Sequence, residues 1–218
     1  MSMTLNPVNE AAFQKAVQSL ETLNRAAVFH PTGTGKSCIA WKVVEAHPQT
    51  TFFWLVAGAQ RLALRQAELT RYNGGTLPGN VRFCDCEKLA AATPEQWVRL
   101  GEQKPGCIVL DCYHELSAVC WAQSVQKLLR MCPQAKVLGL GVPNGAPVCA
   151  AAQELFADCI VSHMTVAEGM AAGTMPVPSA YAALLWPQEE ELATLRARIK
   201  NLCMPKGCLL YTSPSPRD

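Results

Sequence analysis

The 218-residue chain lacks any apolar run long enough to span a bilayer, and no charged n-region followed by an apolar h-region opens it. The expectation is a cytoplasmic protein with no membrane partner. It also lacks a CxxC pair; the closest cysteine spacing is Cys84-Asp85-Cys86, which is not the pattern of a structural zinc site. Charge is scarce as well. Only 17% of residues are charged and the net charge is +2, too small to argue for nucleic-acid binding on electrostatics alone. With half the residues hydrophobic, long disorder is excluded and a well-buried core is expected. The length suits one substantial α/β domain or two small ones.

Eleven cysteines are present, an odd number, and most lie within apolar stretches such as Cys107-Ile108-Val109-Leu110 and Asp158-Cys159-Ile160-Val161. Free, buried thiols in a reducing compartment fit this better than a disulfide framework.

The most informative stretch is HPTGTGKS, His30 to Ser37. It follows the apolar run Ala26-Ala27-Val28-Phe29, read as a buried parallel strand, and precedes Cys38 to Val44, read as a helix. Strand, glycine loop and helix together form the context of a phosphate-binding loop. Gly33 and Gly35 lack a Cβ, so the backbone can take positive φ and approach an anion closely. Amide N–H groups of Thr32 to Ser37 would then converge on phosphate at the positive end of the helix. Lys36 would reach the β- and γ-phosphates of a nucleoside triphosphate, and the Ser37 hydroxyl would ligate Mg²⁺. The strict pattern has a further glycine where this chain has His30.

The remainder alternates strand and helix. Helices are expected over 11–23, 59–69, 94–100 (capped by Thr93), 117–131, 148–156 and 166–171. Strands are expected over 51–57, 81–84, 107–111, 136–140 and 158–162. Continuous apolar strands separated by helices argue for an α/β fold with a parallel sheet covered on both faces. Such sheets bind ligands at the carboxyl ends of their strands, which places His30 and Asp111 on one edge. Ile108-Val109-Leu110-Asp111 has the Walker B form, its carboxylate facing Mg²⁺ opposite Ser37.

HPTGTGKS, LDCYHE and KVLGLGVPN together resemble motifs I, II and III of the superfamily 2 DEAD/DEAH-box-like helicases, and in particular the bacterial proteins related to restriction-enzyme translocase subunits. The likeness runs through residues 8–201, including Met164 to Tyr181. It implies a RecA-like P-loop NTPase domain over residues 1–201, with ATP and Mg²⁺ as ligands, DNA or RNA as partner, and a second RecA-like domain missing from this chain. Asp111 matches the family's metal-binding Asp and His114 its motif II His. Cys112 stands where the family has the Glu that activates the attacking water, and Gly141-Val142-Pro143 replaces the hydroxyl-bearing residues of motif III. A thiol of ordinary pKa about 8.5 is a poor base for water. Losing a general base costs about 10²–10⁴-fold in rate. The expectation is retained ATP binding with weakened hydrolysis. The alternatives are a non-hydrolysing interaction module, a decayed helicase fragment, or a different P-loop enzyme such as a small kinase.

Arg61 and Arg65 lie where this family's motif Ia meets nucleic acid, but basic residues on a helix are read here as its solvated face. Trp41, Trp54 and Trp121 are read as core. Asn9, Glu10 and Gln14 fall where the family often places an adenine-reading Gln, without a match that assigns the role. The last eleven residues, CLLYTSPSPRD, break with everything before them. They resemble one reading frame through a transposase adapter used in sequencing-library preparation. Residues 202–218 are therefore set apart as a tail, and the natural protein is expected to continue past Gly207.

Overall fold

A computed structural model describes residues 3–111, 113, 118–143, 154–177 and 189–201. Two compact units divide the chain, Met1–Val177 and Pro178–Asp218. The second contributes helix α10 (Glu189–Asn201), whose first turn holds Glu189, Glu190 and Glu191, the favourable charge for a helix N-terminus. The tail from residue 202 onward lies outside the described residues.

The first unit is built on a six-stranded sheet of β1 (Arg25–Phe29), β2 (Phe52–Val56), β3 (Val81–Asp85), β4 (Cys107–Asp111), β5 (Lys136–Gly141) and β6 (Ile160–His163). Their order is β3-β2-β4-β5-β1-β6, and every pairing is parallel. β2, β4 and most of β1 are buried on both faces, which is why their sequences are unbroken apolar runs. Alternate residues feed two cores. Val28, Phe52, Trp54, Val109 and Leu138 pack with helices α1 (Pro7–Thr22) and α2 (Lys36–Ala46). Ala27, Phe53, Leu55, Ile108 and Leu110 pack against Trp97, Val125, Leu128 and Phe156 on the other face.

Register then fixes the site. Leu140 of β5 lies beside Val28 on one flank and Asp111 on the other. The loop after β1 and the carboxylate ending β4 thus occupy one edge, separated by a single strand.

Several boundaries depart from the sequence reading, each for a local reason. Helix α1 starts at Pro7 rather than residue 11, because the Asn6 side chain accepts from the Asn9 amide at 2.8 Å and Pro7 takes the first turn. Helix α3 (Ala59–Tyr72) runs beyond Leu69 until Gly74, at φ 71°, lets the Gly75 amide reach back to the Thr70 carbonyl at 2.8 Å. Cys86 opens a short helix, α4 (Cys86–Ala90), capped by Asp85, so Cys84-Asp85-Cys86 is a strand end and a helix start. Helix α5 (Pro94–Glu102) carries the expected Thr93 cap, closed into a reciprocal pair by Gln96. The helix expected over 117–131 is α6 (Ala118–Cys120), a π-helical stretch Trp121–Gln126, and α7 (Lys127–Met131). Within it the Ser124 hydroxyl donates to the Cys120 carbonyl at 2.5 Å, competing with the i→i−4 ladder. Of the helix expected over 148–156, residues 154–156 (α8) are described; residues 157 and 158 form a turn, so β6 begins two residues late. Helix α9 (Val166–Ala171) matches its expected range.

Among the described residues the cysteines are free, and no helix is long and apolar enough to cross a membrane. Burial pushes the Cys84 thiol up to about 11 and Cys107 to about 12, so both stay protonated and behave as small apolar groups.

Candidate nucleotide-binding site

Loop residues Thr32, Gly33, Gly35, Lys36 and Ser37 line a cleft of ≈ 380 Å³ together with Cys38, Arg65, Glu68, Tyr72 and Asp111. Gly33 and Gly35 both sit at φ 88°, a region that L side chains rarely adopt. Gly35 is the residue before the first turn of α2, so the loop delivers its amides directly to a helix N-terminus. Thr34 turns inward and its hydroxyl donates to the Pro31 carbonyl at 2.8 Å, while Thr32 and Gly33 stand exposed at the tip.

The loop is held from behind by α1. Asn9 is buried and its Nδ2 donates to the Thr34 carbonyl at 2.8 Å. Asn9 therefore shapes the loop, a role that the spacing of Asn9, Glu10 and Gln14 did not reveal. The missed signal was the Asn6-Pro7 helix start, which moves Asn9 into the first turn of α1.

Lys36 is buried, and its Nζ donates to the carbonyls of His30 (2.7 Å) and Pro31 (2.8 Å). The ammonium is thereby stored inside the loop that an anion would occupy. His30 is not part of the cleft lining. It is fully buried, its amide donates to Gly141 of β5 at 3.2 Å, and its Nε2 lies 2.8 Å from the Ser162 hydroxyl of β6. Burial first, then the charges of Lys36 and His163, lower its pKa from 6.5 to about 4, so the ring is neutral at pH 7 and supplies no charge to a phosphate. Its role is to tie three strands together beneath the loop.

Asp111 is 3% exposed and faces the same side of the sheet as Trp54. Its Oδ2 accepts from the Trp54 indole N–H at 3.2 Å and from Arg65 Nε at 2.5 Å. Arg65 also pairs with Glu68 one turn along α3. Burial pulls the Arg65 pKa down, but the two carboxylates outweigh it and hold it above its ordinary value. The sequence reading of Arg65 as part of a solvated helix face is therefore corrected: its guanidinium is held between two carboxylates. Trp54 is core, as expected, and its buried N–H needed an acceptor, the one hint in the sequence that a polar group lay nearby. Across the cleft mouth the Cys38 thiol reaches the Tyr72 hydroxyl at 3.7 Å; this contact and burial raise the Tyr72 pKa.

Cys112 and His114 fall outside the described residues. Gly141 ends β5, Val142 and Pro143 follow it on the same edge, and Gly141 admits the Phe29 ring: a Cβ there would stand 2.8 Å from it.

The residues present fit a hydrated magnesium ion. Among the described residues no cluster of three His, Cys, Asp or Glu could hold a metal by itself. The Ser37 hydroxyl at the start of α2 and the Asp111 carboxylate ending β4 do line the same cleft as the loop, with Glu68 of α3 a second carboxylate in that lining. That is the sparse donor set magnesium takes when water and phosphate complete its shell.

No protein-family model matches the chain, and no curated protein matches it in sequence. Solved structures do. The chain is similar to the large terminase of bacteriophage HK97, with TM-score 0.55 and 13% identity over 94% of this chain and 48% of that one. It is similar to T4 UvsW, with TM-score 0.52 and 12% identity over 71% of this chain and 33% of that one. The DUF1998 helicase MrfA matches with TM-score 0.51 and 15% identity over 75% of this chain and 33% of its own. The fold is RecA-like. At these identities the likeness is one of architecture, and the RecA-like chain spans a third to a half of the solved chains it matches.

Proposed function

We propose that this chain is the ATP-binding domain of a DNA or RNA helicase or translocase, and that it holds MgATP with weakened hydrolysis. The observation that carries the reading is the loop itself: two glycines at φ 88° deliver Lys36 and Ser37 to the start of α2, and Asp111 lines the same cleft from two strands away. In this reading Thr32 to Ser37 wrap the phosphates with backbone amides, Lys36 leaves the His30 and Pro31 carbonyls for phosphate oxygens, and Ser37 and Asp111 hold the metal. Magnesium would supply charge neutralisation across the β- and γ-phosphates. A helicase or translocase further needs a second RecA-like domain, which in such motors completes the cleft with arginine and shares the nucleic-acid track.

Cys112 favours the second reading, a nucleotide-holding module that does not turn over, because motif II then lacks the carboxylate that would take a proton from water. Equilibrium titration with a fluorescent ATP analogue, run beside a phosphate-release assay, separates the readings. Micromolar binding with negligible release is expected. Absence of binding with magnesium present refutes the proposal, and release at ordinary motor rates refutes the weakened-hydrolysis part. When the chain is joined to a second RecA-like domain, Cys112→Glu is expected to raise release by about 10²-fold or more.

A further inference from the structure

Arg65 sits where a metal would have to come. Its Nε and the Trp54 indole both converge on Oδ2 of Asp111, so the carboxylate oxygen facing α3 is already taken by a cation and a neutral donor. The guanidinium straddles two acids: Asp111, buried, and Glu68, which is half exposed three residues along the same helix. Two counter-ions of unequal burial make a two-position element.

The cleft lining contains just two basic side chains among the described residues, Lys36 and Arg65. Lys36 is engaged with the His30 and Pro31 carbonyls, and Arg65 with the two acids. Both cations that line the cleft are thus stored in internal contacts. A guanidinium and a dication compete for one carboxylate, and the dication gains more when phosphate oxygens complete its shell.

We propose that Arg65 is the gate on the magnesium position of this cleft: it neutralises Asp111 until metal takes that carboxylate, and is then released to Glu68. The gate rests on the reading of the cleft as a MgATP site. Arg65 acts in it as a positioning residue, holding the metal carboxylate until metal arrives.

The test is the ratio of dissociation constants for a fluorescent ATP analogue in EDTA and in magnesium, measured on the full chain. Arg65→Ala is expected to widen that ratio by about tenfold. Without the arginine, Asp111 has no competing cation when magnesium is present, and repels phosphate unopposed when it is absent. Glu68→Gln, which leaves the guanidinium with Asp111 as its carboxylate, is expected to narrow the ratio. It also serves as the second probe if Arg65→Ala does not fold. Unchanged ratios, or shifts of both variants in the same direction, overturn the gate while leaving nucleotide binding standing. Failure of the wild-type chain to bind in either buffer overturns the MgATP reading and the gate with it.

Discussion

Gly33 and Gly35 share a φ of 88° yet differ in surroundings, and that difference makes a sharp test of how the loop is shaped. A Cβ on Gly33 meets nothing within 4 Å, whereas one on Gly35 would stand 2.9 Å from Nδ2 of Asn9. Gly33→Ala therefore brings only the backbone strain of an L residue in the left-handed region, about 1–2 kcal/mol. Gly35→Ala brings the same strain and pushes Asn9 off the Thr34 carbonyl. That unmakes a buried hydrogen bond and leaves both its groups dry, a further cost of about 1–3 kcal/mol. The two substitutions should differ by that second amount in urea unfolding, with unchanged m-values. In an Asn9→Ala background the obstruction is gone, so Gly35→Ala should cost no more than Gly33→Ala. A double-mutant cycle should then return a coupling of about 1–3 kcal/mol. Nucleotide affinity should follow the same order, Gly35→Ala losing more than Gly33→Ala, because amides at the loop base are displaced together with Thr34. Equal costs for the two glycines, or strict additivity with Asn9→Ala, would refute the claim that α1 shapes the loop.

Two further outcomes follow from the same edge of the sheet. In the folded chain His30 titrates near 4 against 6.5 when unfolded, so between those values the unfolded state binds more protons and stability falls as pH drops through the window. Denaturation midpoints measured from pH 7 to pH 4 should therefore decline less steeply in His30→Gln than in the wild type; parallel curves would exclude His30 as a source of the acid sensitivity. At Gly139 an added Cβ would lie 2.6 Å from the Phe156 ring, so Gly139→Ala should destabilise by about 1–3 kcal/mol, and a Phe156→Leu background should recover part of it. A neutral Gly139→Ala in thermal melts would show that the ring has room to move.

Much of the sheet was legible because its information is local. An unbroken apolar run such as Phe52 to Val56 says a strand buried on both faces, wherever it sits in the order. The glycine loop was legible for the same reason, since positive φ and a following helix are properties of neighbouring residues. Boundaries were less so. Where the apolar period began at residue 11, the capping chemistry of Asn6 and Pro7 had already started the helix, and at 121–126 nothing in the periodicity announced a wider helical turn.

The sequence by itself determined the class of fold, the presence of a phosphate-type loop, and a carboxylate ending an apolar strand. Those are consequences of composition, period and turn chemistry acting over a few residues. Tertiary structure alone decided that β5 separates the loop strand from the Asp111 strand, because strand order depends on which faces can be covered at once. It alone decided that His30 is a neutral tie beneath the loop, that Asn9 reaches Thr34 across 25 residues, and that Arg65 reaches Asp111 across 46. A long polar side chain finds its partner only after the helices have docked. Burial then makes that partner matter, since a charge or amide removed from water must be answered by whatever the fold has brought within reach.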